Sequence, residues 1–237
     1  MATDVLPHAP QNSLPRVPPL QPGDHLTRQE FERRYDATPG LKKAELIEGV
    51  VYMPPPVSFG WHSEPHVHLV GWLWHYRVHT PGVRSGADGS IRLSDANVPQ
   101  PDALLFIDPA HGGQARISAD DFLEGAPELV CEVAATSAGY DLHTKLELYR
   151  SSGVKEYVVW RTFDGEIDWF VGRAGTFERL APDPDGIFQS TVFPGLWLDA
   201  SNLLKANVVA VLAKLQEGLA SAEHAQFVAR LSAAGRS

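Results

Sequence analysis

The chain has 237 residues, a length that suits one well-buried domain with appendages rather than two full domains. A hydrophobic fraction of 43% and a charged fraction of 21% are those of a globular protein and exclude overall disorder and a membrane-embedded chain. With 29 acidic against 20 basic residues the net charge is -9, which repels polyanions at long range, so a nucleic-acid partner requires local cations or bound metal around a cleft.

The opening segment MATDVLPHAPQNSLPRVPPLQPGD is rich in proline and has no apolar periodicity, so a disordered tail is expected over 1–25. Order is expected from Leu26, where Thr27 caps a short helix carrying Phe31 and Tyr35, with Glu30 three residues on in a capping-box pattern. In AELIEGVVYMPPP two short apolar runs flank Glu48-Gly49, the pattern of a β-hairpin, and the prolines end its pairing. From Trp61 to His79, Val67, Val70, Leu73, Trp74 and Val78 recur at helical spacing and predict a helix with that apolar face, stopped by Pro81-Gly82.

Three strands are expected next, over Gly89 to Leu93, Asp102 to Ile107 and Glu128 to Ala134, with a polar loop between the last two. Leu142, Leu146 and Tyr149 mark a helix that Ser152-Gly153 ends before the β-prone EYVVW. Residues Ile167 to Leu180 alternate around Arg173-Ala174-Gly175 as a further hairpin, and FPGLWL caps the core. Beyond Asn202 the Ala- and Leu-rich sequence predicts one or two helices outside the core. The expected fold is a mixed α/β layer, one sheet with helices on its faces, over 26–200, followed by a helical extension over 201–237.

Cys131 is the only cysteine, which excludes an intrachain disulfide and a thiolate-rich zinc site and fits a reducing cytoplasm. The first residues lack the basic-then-apolar pattern of a secretory signal, and no apolar run is long enough to cross a bilayer. A cytoplasmic location is therefore expected, with no membrane partner.

Two acids interrupt apolar strands. Asp102 stands at the head of DALLFID and Glu132 lies inside ELVCEVAAT, where an ionised carboxylate needs a hydrogen-bonding partner, a cation or a raised pKa. Carboxylates on neighbouring strands can share a hard divalent ion, although each acid could equally be structural, paired with an arginine or capping a loop. Lys145, in DLHTKLELY, begins its helix soon after the Glu132 strand and can bring a cation to both acids; taken alone it reads as an ordinary solvated lysine.

From Glu45 to Trp160 the chain resembles the Uma-type "putative restriction endonuclease" family of the PD-(D/E)XK nuclease superfamily. The resemblance rests on ELIEGVVYMPPP, a helix opened near His62, VPQPDALLF, ELVCEVAATS and YDLHTKLELYRSSGVKEYVVW, in the family's order and spacing. It covers roughly Leu26 to Asp199 and implies a restriction-endonuclease-like fold and metal-dependent hydrolysis of phosphodiester bonds. By that resemblance Asp102 is the acid of the PD motif, Glu132 the second acid and metal ligand with it, and Glu45 a third acidic member. Mg²⁺ is the implied cofactor, with Mn²⁺ as a substitute, and DNA the expected nucleic-acid partner. The superfamily's lysine is expected two residues after the second acid, where Ala134 stands, and Lys145 takes the place of the substitute.

Other features invite rival assignments. His62, His66 and His68, with His75 and His79, contain pairs at a spacing of four that suggest zinc, but no HExxH motif accompanies them. Trp61, Trp72 and Trp74 could stack bases, yet core packing is expected of aromatics at helical spacing. A non-cleaving nucleic-acid-binding or assembly module on the same fold is the rival to an enzyme. The C-terminal helices, if they lie outside the core, imply a homodimer that buries their apolar face.

Overall fold

The computed structural model describes residues 17–236. The first helix, α1 (Arg28–Asp36), begins as expected at Thr27, whose hydroxyl accepts from the Glu30 N–H at 3.4 Å. The reciprocal half of the capping box is not made, because the Glu30 carboxylate turns to Arg33 and Arg34. Strands β1 (Glu45–Ile47) and β2 (Val50–Tyr52) pair antiparallel across Glu48 and Gly49, whose φ values of 53° and 77° are those of a tight two-residue hairpin turn.

Part of the segment expected as a tail is packed on the domain. Leu20 is buried, the Gly23 N–H donates to the Val51 carbonyl and the Val51 N–H donates to the Asp24 carbonyl, both at 2.9 Å. The open edge of β2 presents unpaired backbone groups, and residues 23–26 satisfy them. The rest of the expected tail, 1–16, lies outside the described residues.

A π-type turn (Phe59–Ser63) leads into α2 (Glu64–Val78), and of the expected apolar face only Leu73 and Val70 turn to the core. Leu69, Trp72, Leu73 and Tyr76 are buried, whereas Val67, Trp74 and Val78 are exposed. Apolar residues occur all round this helix, so periodicity does not select a face. The choice rests on tertiary partners: the Trp72 indole N–H and the Tyr76 hydroxyl each donate at 2.9 Å to the backbone carbonyls of Trp197 and Pro194.

The chain continues through β3 (Val83–Ala87), β4 (Ile91–Arg92), β5 (Ala103–Ile107), β6 (Arg116–Ile117), β7 (Leu123–Glu124) and β8 (Leu129–Ala134). Next comes one helical passage, α3 (Ala138–Tyr140), a π-type turn (Asp141–Lys145) and α4 (Leu146–Ser152), closed by Gly153 at φ 89°. Strands β9 (Glu156–Arg161), β10 (Glu166–Arg173), β11 (Thr176–Arg179), β12 (Ile187–Gln189) and β13 (Trp197–Asp199) follow, then α5 (Ala200–Leu204), α6 (Val208–Leu219) and α7 (Ala222–Ala234).

The main sheet has the order β11-β10-β9-β8-β5-β3, and β8 and β9 are its parallel pair, joined by the α3–α4 passage. Two departures from the expected strands concern its edge. Polar β3, which lacks an apolar run, forms that edge, while the segment expected as a core strand at Gly89 to Leu93 shrinks to β4 in a small sheet with β6 and β7.

Alternation along the central strands assigns their faces. Ala103, Leu105, Leu129, Cys131, Val133, Val158 and Trp169 join α2 in one cluster; Val130, Ala134, Tyr157 and Val159 join Tyr149 in another. The C-terminal helices belong to the first. Leu203, Val211, Leu215, Phe227 and Leu231 are buried in the α2 cluster, so these helices do not lie outside the core, and the argument that their apolar face needs a second subunit falls away.

Candidate active site

At the end of the sheet where the α3–α4 passage begins, strand register brings the two acids together. The β5–β8 ladder pairs Ala103 with Cys131, and one further step sets Asp102 opposite Glu132. Since Ala103 and Cys131 face α2, the two acids face the other way, toward the helical passage. Both are buried, at 2% and 3% exposure.

Glu45 arrives through a second ladder. Leu46 and Val98 exchange backbone hydrogen bonds of 3.1 and 2.7 Å, tying the hairpin to the segment just before Asp102. The Gln100 N–H then donates to Glu45 Oε1 at 2.7 Å. Glu48, the other acid of that element, stays in the exposed hairpin turn, where its own N–H donates to Asn97 Oδ1.

Lys145 meets these acids from across the cleft. Its Nζ lies 2.9 Å from Glu132 Oε1, 3.0 Å from Glu45 Oε1 and 4.0 Å from Asp141 Oδ1. The π-type turn, which carries one extra residue per turn relative to an α-helix, holds both Asp141 and Lys145 inward and buried. Ala134, at the position where the superfamily's lysine is expected, is buried among Tyr149, Val159 and Phe170, an apolar setting.

Sequence reasoning overlooked several members of this site. Lys43 Nζ donates to Asp102 Oδ1 at 3.1 Å, the Val133 N–H donates to Asp102 Oδ2 at 2.8 Å, and the Tyr149 hydroxyl donates to Glu132 Oε1 at 3.0 Å. His62, singled out for opening its helix beside the site, lies with Nε2 3.3 Å from Asp102 Oδ2. His66 Nε2 is 2.6 Å from the Asp102 backbone carbonyl and therefore carries its hydrogen there. Two clues were present in the sequence: Asp141 and Lys145 are one helical turn apart, and Lys43 sits two residues before Glu45, on the same side of an extended chain.

The electrostatics follow from crowding. Burial by itself raises the Asp102 carboxyl, but the His62 hydrogen bond and the Lys43 charge outweigh it and hold the group well below the usual carboxylate range. Glu132 moves the other way: burial raises it, Lys145 pulls it down, and the charges of Asp102, Asp141 and Glu45 add to the rise, leaving it at about 8. Burial also pushes Asp141 up. Burial disfavours the Lys145 ammonium, yet Glu132, Glu45 and Asp141 keep it charged far above the ordinary lysine range. The Cys131 thiol is raised by burial and stays inert.

These groups line a pocket of about 550 Å³ whose walls also include Tyr52, Trp61, Tyr140 and Phe163. Among its lining residues the four carboxyl groups of Glu45, Asp102, Glu132 and Asp141 outnumber the ammonium groups of Lys43 and Lys145. Hard carboxylate oxygens in such surroundings suit a divalent cation such as Mg²⁺ in charge and donor chemistry. Among the described residues no group of three or more His, Cys, Asp or Glu side chains forms a ready-made metal cluster. The histidine pairs are engaged otherwise, His66 with Asp102 and His79 Nδ1 with the His75 carbonyl at 2.9 Å. No helix among the described residues is long and apolar enough to cross a membrane.

A family model, Uma2, described as putative restriction endonuclease, matches residues 28–201. Among solved structures, the chain is similar to a putative nuclease belonging to DUF820 from Anabaena variabilis, with a TM-score of 0.58 and 15% sequence identity over 76% of this chain and 98% of that one. At that identity the likeness shows the fold: a mixed sheet flanked by helices, as in a nuclease. No curated protein matches the chain.

Proposed function

The chain belongs to the Uma2 family of putative restriction endonucleases, and from that premise we propose that its pocket hydrolyses phosphodiester bonds of nucleic acid, with DNA as the substrate and Mg²⁺ or Mn²⁺ as cofactor. The observation that carries this reading is the convergence of Lys145 on Glu132 and Glu45 at 2.9 and 3.0 Å, with Asp102 opposite Glu132 in the sheet. Three distant chain segments thus supply the acids and the ammonium to one pocket.

In this proposal Asp102 and Glu132 hold the ion and Glu45 completes the acidic wall. A divalent ion, when bound, supplies Lewis-acid activation of water and of the phosphoryl oxygen. Lys145 remains an ammonium, because the surrounding carboxylates keep its pKa high. It therefore offsets charge developing on the phosphate rather than acting as a base. Lys43 holds Asp102 Oδ1, while His62 and the Val133 N–H hold Oδ2, so this carboxylate stays ionised and fixed.

The test is Mg²⁺- or Mn²⁺-dependent cleavage of plasmid and single-stranded DNA by wild type, Glu132→Gln and Lys145→Ala, with preparations matched for contaminating nuclease. We expect each variant to lose at least ~10²-fold in rate, the scale of removing one transition-state donor. Equal cleavage by all three proteins would refute the assignment. One observation favours the rival non-cleaving module: Lys43 and Lys145 already engage the carboxylates that a metal needs. That module predicts DNA binding with no cleavage under either metal.

A further inference from the structure

The rim of the pocket differs from its floor. Trp61 and Phe163, 51% and 54% exposed, meet edge to face with ring centroids 4.9 Å apart. Trp61 was expected in the core with Trp72, and only Trp72 is there. The rim pair joins two elements, the π-type turn before α2 and the β9–β10 turn, and the Thr162 hydroxyl donates to the Trp61 carbonyl at 2.7 Å, pinning them together. Across the pocket, Tyr52 and Tyr140 form a second aromatic pair at 4.8 Å.

Charge on the walls excludes the usual grip on nucleic acid through its phosphates. The cations that line the pocket, Lys43 and Lys145, are both engaged by carboxylates. Next to the rim, Arg161 is taken up by Asp164, Glu166 and Asp168. Nucleic-acid binding draws much of its affinity from lysines and arginines that neutralise phosphates; such a track does not run along these walls, so base contacts have to supply the affinity, and stacking on an aromatic ring needs an unpaired base. Size points the same way. A cavity of about 550 Å³ lies within the ~300–1,000 Å³ range of pockets that enclose one drug-sized group, the scale of a single unstacked nucleotide. The Tyr140 hydroxyl and His62 Nδ1, both in the pocket wall, are buried polar atoms without a hydrogen-bond partner among the described residues, groups that a ligand or ordered water satisfies.

We propose that the Trp61–Phe163 rim is a base-stacking platform and that nucleic acid enters this pocket as an unpaired single strand. Every base has a face to stack, so the platform selects for unpaired bases and not for sequence. The proposal rests on the hydrolytic reading of the same pocket and narrows its substrate class.

Fluorescence anisotropy with the full chain in Ca²⁺ buffer tests it, using a short labelled DNA strand, its RNA counterpart and the blunt duplex, followed by cleavage of each in Mg²⁺ and Mn²⁺. We expect a single strand to bind at least ~10-fold more tightly than the duplex. Trp61→Ala and Phe163→Ala should each weaken that binding ~10-fold, with Trp61→Phe restoring most of it. Both side chains are half exposed, so unchanged melting of the alanine variants separates lost stacking from lost folding. Duplex bound as tightly as single strand, or alanine variants that bind the strand like wild type, would overturn the platform even if cleavage is found. Strand binding that depends on Trp61 with no hydrolysis upholds the platform and overturns the hydrolytic reading, and no binding of any of the three probes overturns both. The DNA and RNA strands compared side by side decide which sugar is accepted.

Discussion

Two sets of buried carboxylates in this fold, Glu156 with Glu128 and the acids of the pocket, are equally hidden from water and differ in what surrounds them. Glu156, at the start of β9, accepts from the Ser190 hydroxyl, the Thr191 hydroxyl and the Thr191 N–H, each at 2.7 Å, and from the Val192 N–H at 3.2 Å. Glu128, just before β8, accepts from the Ile107 and Gln114 N–H groups at 2.8 and 3.2 Å. Glu156 is fastened to its loop by these fixed dipoles, Glu128 by its two N–H groups with Lys155 Nζ 3.7 Å away, and neither lines the pocket that holds Lys145. In the pocket, Glu45, Asp102 and Glu132 are held by the ammonium groups of Lys43 and Lys145 next to open volume. A buried acid in an apolar strand is therefore no sign of chemistry by itself. Carboxyl groups that outnumber the ammonium groups between them, next to a cavity, make the difference.

The largest expected effect breaks the comparison at Lys145. Lys145→Met leaves Glu45 and Glu132 without their ammonium, and removing one member of a buried ionic group destabilises by ~3–5 kcal/mol. Urea unfolding without metal should show that loss. Saturating Mg²⁺ should recover part of it, ~2.7 kcal/mol at a hundredfold excess over the dissociation constant, if the ion binds only the folded protein. A variant as stable as wild type in the absence of metal would mean that the lysine is not needed to balance the acids.

Glu156→Gln should act on stability alone. The amide presents a donor where the carboxylate met four donors, and ~1–3 kcal/mol is expected to be lost, while cleavage per folded molecule stays at the wild-type rate. A fall in cleavage would place this acid in the chemistry and erase the distinction.

The smallest effect is on pH dependence. Burial raises the Glu156 carboxyl, partly offset by its hydrogen bonds to Ser190, Thr191 and Val192. A raised carboxyl binds its proton more readily in the folded state, so its contribution to stability falls as pH rises from the unfolded value of about 4.3 through the raised folded value, and is greatest below that window. The stability advantage of wild type over Glu156→Gln should therefore widen on acidification. A gap that narrows toward low pH would show that the loop donors dominate over burial.

Much of the frame was legible in the sequence. The Thr27 cap, the Glu48-Gly49 and Ala174-Gly175 turns and the Gly153 stop are local signals, and each acts over a few residues. Asp102 and Glu132 stood out as acids in apolar strands, Lys145 as a cation close behind them and Glu45 through the family pattern, and the fold brings all four to one pocket. Lys43, Tyr149 and the orientation of His62 were not legible, because their partners lie up to 59 residues away. The buried face of α2 was misassigned for a related reason: its apolar residues encircle the helix, and the carbonyls that select Trp72 and Tyr76 lie more than a hundred residues downstream.

Sequence alone thus determined the helices, the hairpins, the central strands and the identity of the acids, since caps, turns and alternation depend on near neighbours, but not the edge strand β3. Tertiary structure decided which acids share a cation, which aromatics reach the rim and that the C-terminal helices complete the core. Those outcomes depend on strand register and on which faces meet, and register sets a whole side-chain row to one side or the other of the sheet.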